Sequence, residues 1–348
     1  MQAAYLTGVK SVVIKEIDIP AINENEILLK VKSAAICGTD IRMFNNGYKG
    51  VSEENPLIIG HELSGVIEKV GANISLYKEG MRVAVAPNMG CGVCDRCVSG
   101  NTHMCADYRA LGINLDGGFA EYVRIPEEAC RQGNISILPE NVSFEEAALN
   151  EPLSCVYNGF LKCDIKPGDN VLIIGTGPIG IMHAKLAKMA GAGKVMLNDL
   201  SKERLNVCGK IDTSFILLES DGLKEKVMEL TRNNGLDVCI TACPSPQAQA
   251  DSLEMMAING RVNFFGGLPQ SKEIVGINTN LVHYKQLILT GSARSSLSQY
   301  RKTLNFISSG VLNVKDLVTE RFPLERISEG IQKASLAQGI KNVITFDS

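Results

Sequence analysis

The chain has 348 residues, 45% hydrophobic and 21% charged, with 33 Gly and 12 Pro, so it is long enough for two cores and excludes a disordered or fibrous protein. A formal net charge of -3, without a long run of one sign, offers no basic field to nucleic acid or an anionic membrane, and small molecules are the expected partners. The opening MQAAYLTGVKSVVIKE lacks a secretory pattern and no apolar stretch reaches transmembrane length. The eleven cysteines therefore point to metal ligands or buried thiols in a reducing compartment, the cytoplasm.

In chain order, the first half carries short β-type runs, SVVIKEI, EILLKVKSA, SGVIEKV and AEYVRI, broken by Gly, Pro and Asn, and predicts an irregular β-rich domain. From Asp169 the texture changes to alternating strands and amphipathic helices: VLIIG, IGIMHAKLAKMAG, KVMLND, KERLNVCGK, SFILLE, LKEKVMELTRNNG and DVCITA. A helix near Gln247 to Ile258, the strand RVNFFGG and a last strand at Leu287 to Ser292 complete an α/β, doubly wound parallel sheet. QYRKTLNFISSG and VTERFPLERISEGIQKA read as helices and connections, and NVITF as a short strand. That tail is too short for a third domain and is expected to return to the first. The domains are then 1–153 with 292–348, which is discontinuous, and 154–291 for the dinucleotide.

Gly175-Thr176-Gly177-Pro178-Ile179-Gly180 fits GxGxxG, a pattern that is weak alone and strong here because it follows the strand Val171 to Ile174 and opens a helix. The phosphates of a dinucleotide would meet that helix N-terminus. Asp199 ends the next strand about twenty residues on, where a carboxylate accepts from ribose hydroxyls and repels a 2′-phosphate, so NAD is favoured over NADP. Asp199 or Ser201 as a plain helix cap is the competing reading, and Lys202 and Arg204 place cations nearby, Arg204 within reach of the cofactor.

Cys91, Cys94, Cys97 and Cys105 form CxxCxxCx7C in one short Gly- and Asn-rich lobe, which suits a closed, structural zinc held by four sulfurs. Disulfides fit worse, because the spacings are too tight for independent bridges. Cys37, His61, Glu62 and Glu151 are individually ordinary, yet sulfur, nitrogen and oxygen donors on one ion with an exchangeable position suit a catalytic zinc.

ICGTD, IGHELSG, the four-cysteine lobe, DGGFAEY, EPLS and GTGPIG occur in the order found in the zinc-containing medium-chain dehydrogenase/reductase superfamily, and the chain resembles its polyol branch, the sorbitol (L-iditol) dehydrogenases and their relatives, over essentially its whole length. The resemblance implies a GroES-like β-rich catalytic domain, a Rossmann domain, an active site in the cleft between them, and a homo-oligomer, tetramer or dimer. It implies Cys37, His61 and Glu62 as ligands of catalytic zinc, Glu151 as a ligand directly or through water, and Thr39 as the hydroxyl that receives the substrate proton. Arg42 stands where many relatives carry a proton-relaying histidine, and arginine cannot titrate usefully. Arg42 is thus either a surface residue or a contact for an anionic or highly hydroxylated substrate. Arg294 resembles a substrate-side arginine of sorbitol dehydrogenases, and Cys155, four residues after Glu151, reads as a buried thiol with a further sulfur ligand as the alternative.

The expected activity is hydride transfer between NAD and a secondary alcohol of a small polyol, with zinc as Lewis acid. Polyol phosphates and amino alcohols such as threonine are alternative substrates. A zinc-free quinone or enone reductase would need neither cysteine set, and a non-catalytic zinc- and nucleotide-binding protein would not need Thr39 beside the ligands.

Overall fold

In the computed structural model, which describes residues 1–346, the run Ile27–Ala35 is the hub of a sheet in the first of two units, Met1–Ser154 with Ser295–Ser348. It pairs antiparallel with Glu62–Val70, Tyr122–Ile125 and Lys341–Thr345, while Arg82–Val85 and Ile135–Ile137 extend one side and Val318–Pro323 the other. Leu29, Val31, Ile67, Val83, Val85, Phe119, Val123, Phe322 and Ile344 meet in its core. Fully burying each such side chain stabilises by about 1.5–3 kcal/mol.

VTERFP corrects the expectation of helices and connections after residue 317. Val318–Pro323 is a strand, parallel to Lys341–Thr345, with Val318 and Phe322 buried and polar residues between them. The helix Ile327–Ser335 joins the two strands as a crossover and buries Ile327, Gly330 and Ile331. A parallel pair needs such a connection, and the single apolar face of a sheet-edge strand explains why its sequence looks polar.

The second unit, Cys155–Arg294, is a parallel six-stranded sheet in the order Ile216–Leu218, Lys194–Asn198, Asn170–Ile174, Leu236–Thr241, Met256–Phe264 and Ile288–Gly291. The strand order reverses between Asn170–Ile174 and Leu236–Thr241, the place where doubly wound sheets bind ligands. The helix expected to run to Ile258 stops at Ser252, a 3-10 turn covers Leu253–Met255, and Met256 already lies in the next strand. That strand is bulged, since Leu236 pairs with Met256 and Val238 with Arg261, and Asn259 takes φ 60° within the bulge. Among the described residues, no helix is long and apolar enough to cross a membrane.

Candidate functional site

In the first unit, strand register gathers the candidate ligands. Ala35 pairs with Glu62 on one side and Val343 on the other, so Cys37, one residue beyond Ile36, emerges between Glu62 and Lys341. The amide of Ile36 donates to the Asn342 carbonyl at 2.9 Å, which holds this junction. The segment before His61 is clamped by DGGFAEY: amides of Gly117, Gly118 and Phe119 donate to the carbonyls of Ile58, Gly60 and Ile59 at 2.7, 2.7 and 3.1 Å. A Cβ on Gly117 would stand 2.3 Å from the Gly60 carbonyl oxygen, so only glycine permits this approach.

Donor atoms of Cys37, His61 and Glu62 lie within 4.8 Å of one another. His61 and Glu62 are buried and Cys37 is half-buried. Cys37 caps the helix Gly38–Asn46, and its amide donates to Asp40 Oδ2 at 2.8 Å in a capping box. The other oxygen of the fully buried Asp40 faces His61 Nδ1 at 3.6 Å, too long for a hydrogen bond but strong electrostatically at this depth. Burial opposes charge on His61, and Cys37 and Asp40 outweigh it, so the imidazole is held well above its usual pKa. Glu62 accepts from Lys341 Nζ at 2.8 Å, with both side chains buried. Asp40 and Lys341 were not anticipated. The Cys37 to Asp40 spacing is a capping signal that could have found the first, whereas no local pattern marks a lysine 279 positions from its partner.

Thr39 and Arg42 lie one helical turn apart, and Arg42 Nη2 donates to Thr39 Oγ1 at 3.1 Å from an exposed position. Glu151 is buried on the first turn of Asn150–Cys163, where its charge reaches Tyr300, and it stands outside the three-donor group. Burial of Tyr300 raises its phenol.

The four-cysteine lobe forms a second donor group. Sulfurs of Cys94 and Cys97, Cys94 and Cys105, and Cys91 and Cys97 are 3.5, 3.7 and 4.0 Å apart. A tetrahedral zinc with Zn–S of about 2.3 Å sets its sulfurs about 3.8 Å apart. Amides of Cys91 and Cys94 point at Cys105 and Cys91 sulfurs at 3.4 Å, and hydrogen bonds from Val93 and Cys94 amides lower the Cys91 thiol to about 6.

In the second unit each glycine of GTGPIG has its own reason. Gly175 takes φ 101°, and a Cβ on Gly180 would lie 1.9 Å from the Gly175 carbonyl oxygen. A Cβ on Gly177 would meet nothing nearer than Arg204 Nη1 at 3.7 Å, so packing does not demand this glycine and the space above it suits a pyrophosphate. Pro178 and Ile179 open the helix Pro178–Met189. Asp199 Oδ2 accepts from the Thr176 amide and hydroxyl at 2.7 and 2.9 Å, and Oδ1 from the Ser201 amide at 2.9 Å. The helix cap is Ser201, which accepts from the Arg204 amide at 3.2 Å, while Lys202 is paired with Glu219. Arg204 is half-buried against the loop. Arg294 takes φ 57°, and its carbonyl accepts from Asn158 at 2.9 Å.

Residues 23–134 match the family model of the alcohol dehydrogenase GroES-like domain and residues 178–309 that of zinc-binding dehydrogenases. A sorbitol dehydrogenase of Bacillus subtilis (strain 168) is 32% identical over 338 residues, covering 96% of this chain and 93% of that protein. An L-threonine 3-dehydrogenase of the same organism is 33% identical over 328 residues, covering 93% and 92%. A zinc-binding dehydrogenase of Sinorhizobium meliloti 1021, solved bound to NADP, superposes with a TM-score of 0.89 at 26% identity and covers 99% of each chain.

Proposed function

This chain belongs to the zinc-containing medium-chain dehydrogenase/reductase superfamily, and on that premise we propose that it oxidises a secondary alcohol of a small polyol with NAD. The observation that carries the reading is the convergence of Cys37, His61 and Glu62 donor atoms within 4.8 Å. Sulfur, imidazole and carboxylate suit zinc with an exchangeable position, and Nδ1 of His61 faces Asp40, which leaves Nε2 for the ion. Glu151 stands outside that group and would take part directly or through water, as the resemblance implies. Bound there, zinc supplies Lewis-acid stabilisation of a developing alkoxide, and NAD supplies the hydride acceptor.

The remaining work falls to side chains of this protein. Arg42 occupies one lone pair of Thr39 Oγ1 and leaves the other for the alcohol proton. The hydroxyl's own proton then leaves through water or the cofactor ribose, because a guanidinium cannot accept it. Gly175, Gly177 and Gly180 shape the pyrophosphate cradle. Asp199, fixed by Thr176 and Ser201, presents its free lone pair to the adenosine ribose.

A second reading, a substrate bearing an anionic group such as a polyol phosphate or an amino acid with a β-hydroxyl, draws support from the exposed guanidinium of Arg42 beside Thr39 and from the L-threonine 3-dehydrogenase relative. Cofactor reduction followed by absorbance, with NAD and NADP in parallel against polyols, polyol phosphates, threonine and simple secondary alcohols, decides between them. Fastest turnover with NAD and a neutral polyol is expected. Turnover confined to phosphates or threonine replaces that reading with the second, and a preference for NADP overturns the role of Asp199.

A further inference from the structure

We infer that Lys341 is a positioning residue that shares the Glu62 carboxylate with the zinc ion proposed above, drawing off part of its charge so that the ion stays electrophilic; this rests on Cys37, His61 and Glu62 as ligands. Lys341 is 3% exposed and Glu62 0%. The ammonium lies 2.8 Å from Oε1 and 2.5 Å from Oε2, straddling the carboxylate rather than touching one corner. Burial opposes its charge, and Glu62, Cys37 and Asp40, in that order, hold it in place.

Charge balance says why a lysine belongs there. The Cys37 thiolate, Glu62 and Asp40 bring three negative charges to a buried site, His61 as a ligand is neutral, and Lys341 brings one positive charge. Within the donor group and the two charged side chains that face it, leaving Glu151 outside, the sum of two negative charges matches a divalent ion. Without Lys341 the same ion faces one anion too many. It is then held more tightly and is a weaker Lewis acid, because a carboxylate freed from an ammonium donates more fully to metal. A lysine that only anchored the strand Lys341–Thr345 to Glu62–Val70 would move neither property.

The test uses the full-length, zinc-loaded protein with Lys341→Met, Lys341→Arg and the neutral double variant Glu62→Gln/Lys341→Met. Release of the more labile zinc to a chelator is expected to slow about tenfold in Lys341→Met and kcat to fall about tenfold, with KM for the dinucleotide unchanged. Lys341→Arg stays near the parent. In the double variant, where no carboxylate is left for the missing ammonium to free, the slowing is lost and zinc leaves faster than from Lys341→Met. After cobalt substitution, the visible bands of Lys341→Met move as the Glu62 carboxylate binds the metal more fully, and those of Lys341→Arg do not. Zinc release from folded Lys341→Met at the parental rate or faster overturns the inference. So does failure of both Met-containing variants to fold, which would assign Lys341 to the framework. A Cys37→Ser chain that keeps its labile zinc instead overturns the ligand set beneath it.

Discussion

The two donor groups of the first unit solve one electrostatic problem in opposite ways. In the cysteine lobe all donors fall between residues 91 and 105, and peptide amides of Val93 and Cys94 favour charge on the Cys91 sulfur. At Cys37, His61 and Glu62 the balance is set by side chains: Asp40 within the same turn adds an anion beside His61, and Lys341 from a distant strand supplies the counter-cation. Amides at fixed spacing make a closed, rigid holder. Charges from separate elements make a site whose balance can be adjusted, which suits chemistry in which negative charge develops on the reacting atom.

If that contrast is right, damage to the two groups should separate cleanly. The largest effect is expected from Cys37→Ser, with kcat down at least about 10³-fold, one zinc equivalent lost, and dinucleotide affinity and Tm nearly unchanged. Stopped-flow turnover, metal analysis and NAD titration check it, and retained turnover removes the catalytic role. Next comes Cys97→Ser in the lobe, which should cost about 3 kcal/mol, or about 6–12 °C in Tm, through loss of a structural metal. Calorimetry reads this, and a normal Tm would mean that the lobe does not depend on its ion.

A smaller change tests the borrowed charges. Asp40→Asn keeps the shape of the capping box but weakens the field on His61, and should lower affinity at the labile zinc site by about 10–100-fold while leaving the cysteine lobe loaded. Competition with a graded chelator separates the two ions; equal loss from both would end the contrast.

The smallest effect comes from the second unit and serves as a control for acid. His183 is fully buried beside Phe265, and burial lowers its pKa to about 3. The unfolded imidazole takes its proton near pH 6.5 while the native one does not. Protonation therefore favours unfolding, and stability present above pH 6.5 is lost at about 1.4 kcal/mol per pH unit as pH falls toward 3. His183→Leu should flatten that slope in urea unfolding at pH 7 and 5.5. An unchanged slope would assign acid sensitivity to the metal ligands instead.

Much of this architecture is legible from local pattern, and the failures are local too. The alternation after Asp169 reads as a parallel sheet because buried runs such as Val171 to Ile174 are apolar throughout. Val318–Pro323 escapes that rule, being an edge strand with Thr319, Glu320 and Arg321 between its buried anchors. The helix extended toward Ile258 ends early because the strand starts at Met256, and the Asn259–Gly260 turn signal inside it marks the bulge. Cysteine spacing reveals the lobe because every donor lies on one loop, whereas the partners of His61 and Glu62 depend on register between strands that no periodicity encodes.

The strand that carries Lys341 has a consequence in time. On a ribosome the four cysteines of the lobe are all made by residue 105, and the counter-cation of Glu62 follows roughly 240 residues later. At about 5–20 residues per second the interval is roughly 10–50 s. During it Glu62 lacks its ammonium and Ile27–Ala35 lacks one flanking strand. The donors of the lobe are thus complete while the chain is still growing, whereas the Cys37, His61 and Glu62 group acquires its final charge only after Lys341–Thr345 has docked.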